Sequence, residues 1–346
     1  MKKSIAITLG DAAGIGPEII VKAFRDMPEV TEGCFVVGDV ATMRRAVQRV
    51  CEGQIPLPVV LIEAPAEAIG LPPRCLPVLQ VGALSAPVAF GQLSASAGQL
   101  AGDCVVWAAK AALRGEVAAM VTAPLNKEAL ALAGPPYSGY PGHTEMLQAL
   151  AAADAGQSLS EMPVRMMLAN DELRVVLVSI HVSLRAAIEA VTFDNVLETL
   201  RITHAALSAI LGRVPRIGVA GLNPHAGEGG LFGREELDII APAVAAACLQ
   251  GMQVSGPFAP DTVFMRARAK KGQPGEFDAV VAMYHDQGLI PVKYLGVEKG
   301  VNVTLGLPLV RTSPDHGTAF DIAGTGEADA SSLIEAIRMA QSIKCA

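Results

Sequence analysis

The chain has 346 residues, of which 51% are hydrophobic and only 18% are charged. This composition excludes a disordered protein, and the length exceeds that of one average domain, so two lobes are expected. The formal net charge of -7 argues against a nucleic-acid-binding surface. An anionic ligand would therefore need a local cluster of Lys and Arg side chains.

The sequence predicts neither a membrane segment nor an export signal. No stretch offers the roughly twenty uninterrupted apolar residues that span a bilayer. The apolar run that follows Met1-Lys2-Lys3 ends at Gly10, which makes it too short for a signal peptide. Six cysteines lack metal-binding spacing and are typical of reduced thiols. We therefore expect a soluble, cytoplasmic protein with no membrane partner.

Short apolar runs alternate with helical patterns in the first part of the chain. Residues 4–9 are predicted to form a strand, followed by a glycine-rich turn at 10–16 and a helix that begins near Pro17-Glu18. The turn could hold an anion on its N–H groups or could be a tight connection without a ligand. Further predicted strands are 34–37, 58–62 and 118–122, with helices at 40–50 and 95–114 and an irregular excursion at 63–90. This alternation predicts βαβ units.

The second part of the chain introduces an antiparallel element. The predicted elements are a hairpin-like pair at 164–169 and 173–180, a helix at 193–212, strands at 217–222 and 279–283, and a last helix at 328–342. Together the elements indicate an α/β protein with mixed, mostly parallel sheets and a cleft between two lobes. Residues 1–130 and 305–346 are expected to form lobe one, and residues 131–304 lobe two.

Three histidines directly follow predicted strands, and this shared position distinguishes them from ordinary core histidines. They are His181, His225 and His285. Ligands of open α/β sheets bind at the carboxyl ends of the strands, so these imidazoles could converge on a divalent cation. Neutral imidazole suits zinc. The alternative is that each ring is simply solvated or packed, since the spacing matches no local metal motif.

Other polar groups lie close in sequence to these positions. Asp286 is a candidate partner or further ligand beside His285, and Lys293 and Arg311 are cations suited to phosphate oxygens. His143 lies in a glycine-rich loop before Thr144, which is expected to cap the following helix. Solvated side chains are the alternative reading for the cations and for His143.

Six ordered motifs together resemble the 4-hydroxythreonine-4-phosphate dehydrogenases of vitamin B6 biosynthesis. They are Gly10-Asp11-x-Ala13-Gly14-Ile15-Gly16-Pro17-Glu18, Thr122-Ala123-Pro124-Leu125-Asn126-Lys127, Gly142-His143-Thr144-Glu145, Leu222-Asn223-Pro224-His225-Ala226-Gly227-Glu228, Met283-Tyr284-His285-Asp286-Gln287-Gly288 and Arg311-Thr312-Ser313-x-Asp315-His316-Gly317-Thr318-Ala319. The resemblance spans nearly the whole chain. It implies the two-lobed fold of the isocitrate and isopropylmalate dehydrogenases, with lobe one binding the dinucleotide.

The resemblance assigns roles residue by residue. It makes His181, His225 and His285 the ligands of one divalent metal per site (zinc, magnesium or cobalt), within an active site shared between the subunits of a homodimer. The implied substrate contacts are His143, Thr144, Lys293, Asn302 and Arg311. Asp286 or Lys293 is the implied general base. His316, Gly317 and Asp321 lie in the segment that would bind the adenosine of NAD or NADP.

The implied reaction is the NAD(P)-dependent oxidation of 4-phosphohydroxy-L-threonine to 2-amino-3-oxo-4-phosphohydroxybutanoate. Decarboxylation to 3-amino-2-oxopropyl phosphate would follow, in pyridoxal 5'-phosphate biosynthesis. Relatives that act on threonate or erythronate 4-phosphate share the motifs and provide an alternative. A metal-dependent phosphohydrolase is an alternative of another class, although it leaves the segment 316–324 unexplained. A non-catalytic phosphometabolite-binding protein is a third alternative.

Overall fold

Many strands of the structure are short apolar runs whose side chains are nearly all buried, as in sheets that are covered on both faces. The computed structural model describes residues 3–270, 273–296 and 299–343. Its strands, in chain order, are β1 (Ile5–Thr8), β2 (Cys34–Gly38), β3 (Val59–Ile62), β4 (Leu76–Gln80), β5 (Ala119–Thr122), β6 (Arg165–Ala169), β7 (Arg174–Leu177), β8 (Arg216–Ala220), β9 (Gln253–Phe258), β10 (Ala279–Ala282), β11 (Val301–Leu305) and β12 (Arg311–Pro314).

The helices begin at residues that suit helix starts. Pro17 occupies the first turn of the first helix, and Asp39, Ser94 and Asn126 accept hydrogen bonds from backbone N–H groups of the helices that follow them. The helices are α1 (Gly16–Asp26), α2 (Val40–Val50), α3 (Ala95–Leu113), α4 (Lys127–Leu132), α5 (His143–Ala155), α6 (Leu184–Glu189), α7 (Phe193–Leu211), α8 (Ala241–Leu249), α9 (Val263–Ala267), α10 (His285–Tyr294) and α11 (Ser331–Ser342).

The described residues fall into two compact units. The first contains the residues up to Pro163 together with those from Leu307 onward, and the second is Val164–Gly306. Strands of the first unit follow the order β3-β4-β2-β1-β5-β12, and each neighbouring pair is parallel. Parallel pairing directs the carboxyl ends of these strands to one edge of the sheet, where ligands of open α/β sheets bind.

The second unit contains a mixed sheet with the order β11-β6-β7-β10-β8-β9. β6 is antiparallel to both β11 and β7, whereas β10 is parallel to both β7 and β8. Its core packs Val175, Leu177, Val280 and Leu289 together, all buried. The antiparallel pair and the mixed, mostly parallel α/β architecture confirm the fold class expected from the sequence.

Two features of the fold differ from the sequence-based expectations. β4 lies inside the stretch 63–90, where Pro77 obscured a strand that pairs with both β2 and β3. Residues 131–163 were assigned to lobe two, but they lie in the first unit because α4 and α5 pack against α3. Residues 1–2 and 344–346, at the ends of the predicted lobe one, lie outside the described residues.

Two observations on the described residues concern membrane insertion and thiol chemistry. None of the described helices combines the length and apolar character needed to cross a membrane. Cys51, Cys75, Cys104 and Cys248 are free thiols, and burial raises the pKa of Cys75 and of Cys104, which keeps those thiols protonated and unreactive.

The contact between α3 and α4 predicts the effect of a small substitution. A Cβ atom at Gly98 would overlap the backbone carbonyl of Ala129, which cannot move without shifting α4. We expect Gly98→Ala to lower the free energy of unfolding by about 1–3 kcal/mol, as overpacking does, despite the better helix propensity of alanine. Urea denaturation measures this change. Gly139→Ala, where the added methyl group meets open space, should be nearly neutral; equal stability of both variants would contradict the prediction.

Candidate active site

Three loops that carry histidines leave the carboxyl ends of neighbouring strands in the second unit. His181 follows β7, His225 follows β8, and His285 follows β10, which lies between the other two strands. The rings of His181 and His285 approach to 5.6 Å between centroids, with 46° between their planes. The structure thus brings two of the three predicted ligands together.

His285 is oriented by its neighbour in the sequence. It is the first residue of α10, and its Nδ1 lies 2.7 Å from Oδ1 of Asp286. When Nδ1 carries the proton, it donates a hydrogen bond to Asp286, and Nε2 keeps a lone pair for a metal ion. Histidines that bind metal ions usually donate their other ring N–H to a carboxylate or a similar group, which fixes the tautomer in this way.

His225 lies on an unusual backbone segment. Residues 225–229 all have positive φ angles. Three of them are not glycines, and their φ angles are 52° for His225, 52° for Ala226 and 44° for Glu228. Side chains disfavour this left-handed region, and such strain persists only where surrounding contacts impose it. The exposed ring of His225 lies 6.3 Å from that of Phe232, measured between centroids.

The described residues of one chain do not assemble a complete set of metal ligands. No group of three His, Cys, Asp or Glu side chains among them has the geometry to hold a metal ion. His181 and His285 are adjacent and exposed or half-buried at the end of their strands. The donor chemistry of the two neighbouring imidazoles fits a divalent cation, and a third ligand would have to come from elsewhere.

Two further predicted site residues lie in the second unit. Lys293 is exposed on α10, two turns after His285. Asn302 is half-buried on β11 opposite Leu168 of β6, between the buried Val301 and Val303. Alternation along the strand therefore directs Asn302 away from the face that its apolar neighbours occupy.

Arg311 of the first unit is a buried cation fastened to the sheet. It begins β12 opposite Met120, and its Nε and Nη2 both donate to Thr122 Oγ1, at 3.0 and 2.7 Å. Burial lowers the pKa of its guanidinium to about 10, an effect that the nearby Glu145 carboxylate opposes. The group therefore stays charged at neutral pH, and Thr122 fixes its orientation.

His143 lies in the electrostatic field of two cations. Burial lowers the pKa of its imidazole well below the ordinary value, and the charges of Arg311 and Lys127 lower it further. Its Nε2 is buried and has no hydrogen-bond partner among the described residues. A neutral imidazole with an unused nitrogen, beside two cations, is suited to bind an anionic, hydroxylated ligand.

The role expected for Thr144 in helix capping is wrong. α5 begins at His143, with Gly142 at the N-cap and no side-chain cap. Thr144 therefore lies inside the first helical turn, where its hydroxyl is not used as the cap. Glu145 completes this turn, and its carboxylate lies near Gly142, as does the side chain of Lys127. These neighbours of Arg311 were not identified as a group from the sequence, because they are distant along the chain.

The glycine-rich turn that follows β1 does not present a set of open N–H groups. Ala13 N donates to the buried Asp11 side chain at 2.8 Å, Gly14 N donates to the Asp11 carbonyl, and Ile15 N donates to Thr318 O at 3.0 Å. These bonds use the donors that an anion would need. The turn instead supports the segment predicted to bind the dinucleotide.

That segment is fastened to α1 by a carboxylate that the sequence analysis did not single out. The buried Glu18 accepts hydrogen bonds from Gly324 N and from Gly326 N, the latter at 2.9 Å. Of the predicted contacts, Asp321 and Gly317 are exposed, and His316 places its Nδ1 3.1 Å from Gly317 O. The sequence explained Glu18 only as an acidic residue in the first turn of a helix, where it complements the helix dipole. It gave no sign of the distant partners Gly324 and Gly326.

Comparison with known proteins shows a consistent set of relatives. The family model of the pyridoxal phosphate biosynthetic protein PdxA matches residues 31–340. A 4-hydroxythreonine-4-phosphate dehydrogenase of Beijerinckia indica is 50% identical over 340 residues, which cover 98% of this chain and 95% of the relative. A D-threonate 4-phosphate dehydrogenase of Salmonella typhimurium is 45% identical over 345 residues, 99% of each chain. The crystal structure of a 4-hydroxythreonine-4-phosphate dehydrogenase from Klebsiella pneumoniae has a TM-score of 0.87 and 43% identity, covering 100% of this chain and 99% of its own.

The environment of His143 predicts a pH dependence of stability. Because the pKa of His143 is lowered in the folded state, the unfolded state binds a proton first as the pH falls. The contribution of neutral His143 is therefore complete above the ordinary pKa of about 6.5 and is lost as the pH falls below it. We expect His143→Gln to reduce the loss of stability between about pH 7 and pH 5, measured by urea denaturation. An unchanged slope, or an NMR titration of His143 near its ordinary pKa, would contradict this.

Proposed function

The chain belongs to the family of the pyridoxal phosphate biosynthetic protein PdxA, and from this premise we propose that it oxidises 4-phosphohydroxy-L-threonine with NAD or NADP. The observation that carries the proposal is the adjacent pair His181 and His285, with Asp286 holding Nδ1 of His285. A second support is the buried cation of Arg311 beside neutral His143 in the first unit. Together these groups match a metal-assisted reaction of a phosphorylated hydroxy acid.

The proposed metal ligands are His181, His225 and His285. A divalent cation there would act as a Lewis acid that makes the substrate hydroxyl more acidic. Zinc, magnesium and cobalt are the candidates; imidazole ligands favour zinc or cobalt over magnesium. Asp286 keeps His285 in the tautomer with a free Nε2, and this is its first proposed role.

The other proposed roles belong to groups that bind substrate or move its proton. Arg311, with its planar fork of donors, binds the phosphate or carboxylate, and His143 and Thr144 bind the substrate beside it. Lys293 and Asn302 are the proposed substrate contacts of the second unit. Asp286 or Lys293 is the proposed acceptor of the substrate hydroxyl proton, and a bound dinucleotide would supply the acceptor for the hydride. His316, Gly317 and Asp321 are the proposed dinucleotide contacts.

The product of this oxidation is a β-keto acid, which readily loses its carboxylate as carbon dioxide. Loss of CO2 from 2-amino-3-oxo-4-phosphohydroxybutanoate gives 3-amino-2-oxopropyl phosphate, and it takes place either on the enzyme or after release. The electron pair of the broken C–C bond then resides in an enolate, which a cationic environment stabilises. The proposal thus describes a decarboxylating dehydrogenase of pyridoxal 5'-phosphate biosynthesis.

A homodimer that shares its active sites is part of the proposal. The described residues of one chain do not provide three clustered metal ligands, and the segments that follow the three histidines carry exposed apolar side chains. These are Val182, Leu184 and Ile188 after His181, Leu231, Phe232 and Leu237 after His225, and Ile290 and Tyr294 after His285. A second copy of the chain would cover such side chains and could supply the third ligand. A cytoplasmic location completes the proposal and agrees with the free thiols.

D-Threonate 4-phosphate, or the related erythronate 4-phosphate, is the second candidate substrate. The similarity to the D-threonate 4-phosphate dehydrogenase of Salmonella typhimurium favours it, since 45% identity is close to the 50% found for the relative from Beijerinckia indica. Both substrates carry a secondary hydroxyl and a phosphate, which the same cations would bind. They differ at the carbon next to the carboxylate, where one has an amine and the other a hydroxyl.

A substrate screen decides between these candidates. Reduction of NAD or NADP is followed by absorbance with each of the three phosphorylated acids and with zinc, magnesium or cobalt. We expect reduction with 4-phosphohydroxy-L-threonine, accompanied by CO2 release. Faster reduction with threonate 4-phosphate would favour the second candidate. Release of inorganic phosphate without reduction of either dinucleotide would contradict both and favour a phosphohydrolase.

The proposed metal ligand His225 predicts a selective loss of activity. His225 is exposed, so its replacement by alanine should leave the fold intact while removing one ligand. We expect His225→Ala to reduce the rate of nicotinamide reduction by about a hundredfold or more, with an unchanged circular dichroism spectrum. His204→Ala, within α7, is the control and should retain activity. Near-normal turnover of His225→Ala in metal-free buffer would refute the metal role.

The fork of Arg311 predicts a binding defect. Lysine keeps the charge but cannot reproduce the two bonds to Thr122 together with a bidentate contact to the substrate. We expect Arg311→Lys to raise the KM for the phosphorylated substrate about tenfold or more, with a smaller effect on the KM for the dinucleotide. Arg114→Lys, at an exposed ion pair with Glu116, is the matched control. Equal KM values in the two variants would contradict the role of Arg311.

A further inference from the structure

Residues 316–326 form an irregular segment between β12 and α11, within the first unit. All of these residues are described, and none of them lies in a helix or a strand. The proposed dinucleotide contacts belong to this segment. Backbone bonds from Ile322 N to Ala319 O and from Thr325 N to Ile322 O form turns within it. These turns use only part of its backbone groups, so its conformation also depends on partners outside the segment.

The carboxylate of Glu18 fastens the end of the segment to α1. One of its oxygens accepts from Gly324 N, and the other accepts from Gly326 N at 2.9 Å. Glu18 is 1% exposed and lies in the first turn of α1, where the helix dipole favours a negative charge. Because each oxygen receives a different N–H group, the two bonds together fix the position of the segment relative to the helix.

Two other parts of the first unit hold the middle of the segment. Ile15 N, in the glycine-rich turn, donates to Thr318 O at 3.0 Å. A Cβ atom at Gly91 would lie 2.5 Å from Phe320 O, so the backbone of the segment packs closely against the backbone at Gly91. The segment is therefore held at its middle by main-chain contacts and at its end by the single side chain of Glu18.

The proposed contacts in the segment fit the adenosine part of a dinucleotide. His316 Nε2 is buried and has no hydrogen-bond partner among the described residues, and such a buried atom is normally satisfied by a ligand or by water. A Cβ atom at Gly317 would meet no heavy atom within 4 Å, so a ligand can approach the backbone there. Asp321 is exposed and offers a carboxylate, the group that accepts hydrogen bonds from ribose hydroxyls in many dinucleotide sites.

We propose that Glu18 is a positioning residue, which holds the segment 316–326 in the conformation that binds the adenosine part of the dinucleotide. The inference rests on the proposed function, because it takes His316, Gly317 and Asp321 as dinucleotide contacts. Glu18 is buried and both of its oxygens are used by backbone N–H groups, so it acts through the segment. If the segment adopts other conformations, the apparent affinity falls with the fraction that remains competent to bind.

Two variants disturb the segment in different ways. In Glu18→Gln the amide oxygen keeps one acceptor, but the NH2 group faces the other backbone N–H and cannot accept from it. Gly91→Ala leaves Glu18 intact and places a methyl group against Phe320 O, at a position whose φ of 67° also disfavours alanine. Asp194→Asn is the matched control. It also removes a carboxylate from the first turn of a helix, but Asp194 has no hydrogen-bond partner among the described residues.

The experiment measures dinucleotide binding by the full-length chain in the absence of the phosphorylated substrate. NADH and NADPH are titrated by fluorescence, and ADP-ribose is then titrated as a competitor of the dinucleotide that binds more tightly. We expect Glu18→Gln and Gly91→Ala to raise the Kd of that dinucleotide and of ADP-ribose by the same factor, about tenfold. An equal factor assigns the effect to the part that contains the adenosine, because ADP-ribose lacks the nicotinamide. Asp194→Asn should leave both Kd values unchanged.

Hydrogen exchange of the ligand-free protein tests whether Glu18 acts by positioning. We expect the backbone amides of residues 316–326 to exchange faster in Glu18→Gln than in the unaltered chain. Unchanged Kd values in both Glu18→Gln and Gly91→Ala would overturn the inference while leaving the proposed function intact. A raised Kd without faster exchange in Glu18→Gln would overturn it as well. If the unaltered chain bound none of NADH, NADPH and ADP-ribose, the dinucleotide premise would fail, and the inference with it.

Discussion

The parallel pairing of β10 with both β7 and β8 is the constraint on which the candidate metal site depends. It aligns the carboxyl ends of three strands that are distant along the chain, and a histidine follows each of them. The pairing is stabilised by burial, since Val280, Leu177 and Ala282 have no exposed surface. Polar groups can converge at this edge because the parallel pairing places the three strand ends side by side.

A different physical effect shapes the first unit. Arg311 and His143 are enclosed in a region where charge is costly, and the two groups respond in opposite ways. Arginine keeps its proton and relies on Thr122 for hydrogen bonds, whereas histidine gives its proton up. The result is a fixed positive charge near a neutral imidazole, an arrangement whose charge and donors suit an anion.

Two buried carboxylates hold irregular segments of the candidate sites in place. Glu18 holds the segment around Gly324 against α1, and Glu236 holds the loop around His225. Both carboxylates accept backbone N–H groups of segments that lack regular hydrogen bonding, which compensates the cost of burying the charge. Local backbone strain at the candidate site is therefore offset by contacts that lie outside it.

Local patterns determined much of this protein. Strands such as β1, β5 and β10, the glycine-rich turns and the positions of the three histidines follow from apolar runs and turn residues, which act over a few neighbours. β4 was missed because its proline and flanking loop residues hide a strand that only its two neighbours in the sheet make favourable. The first helical turn of α5 was misjudged for a similar reason, since the start of a helix depends on packing as well as on capping preference.

Only the tertiary structure decided which of these groups meet. The rings of His181 and His285 approach each other although they are far apart in the sequence. The hydrogen bond from Gln287 to Gly221 joins residues 66 positions apart, and the one from Arg311 to Thr122 joins residues 189 positions apart. Such partners leave no local pattern, because their proximity arises from the order and direction of strands in a sheet. The sequence by itself determined the chemical groups and the strands that carry them; the pairing of the strands determined which groups act together.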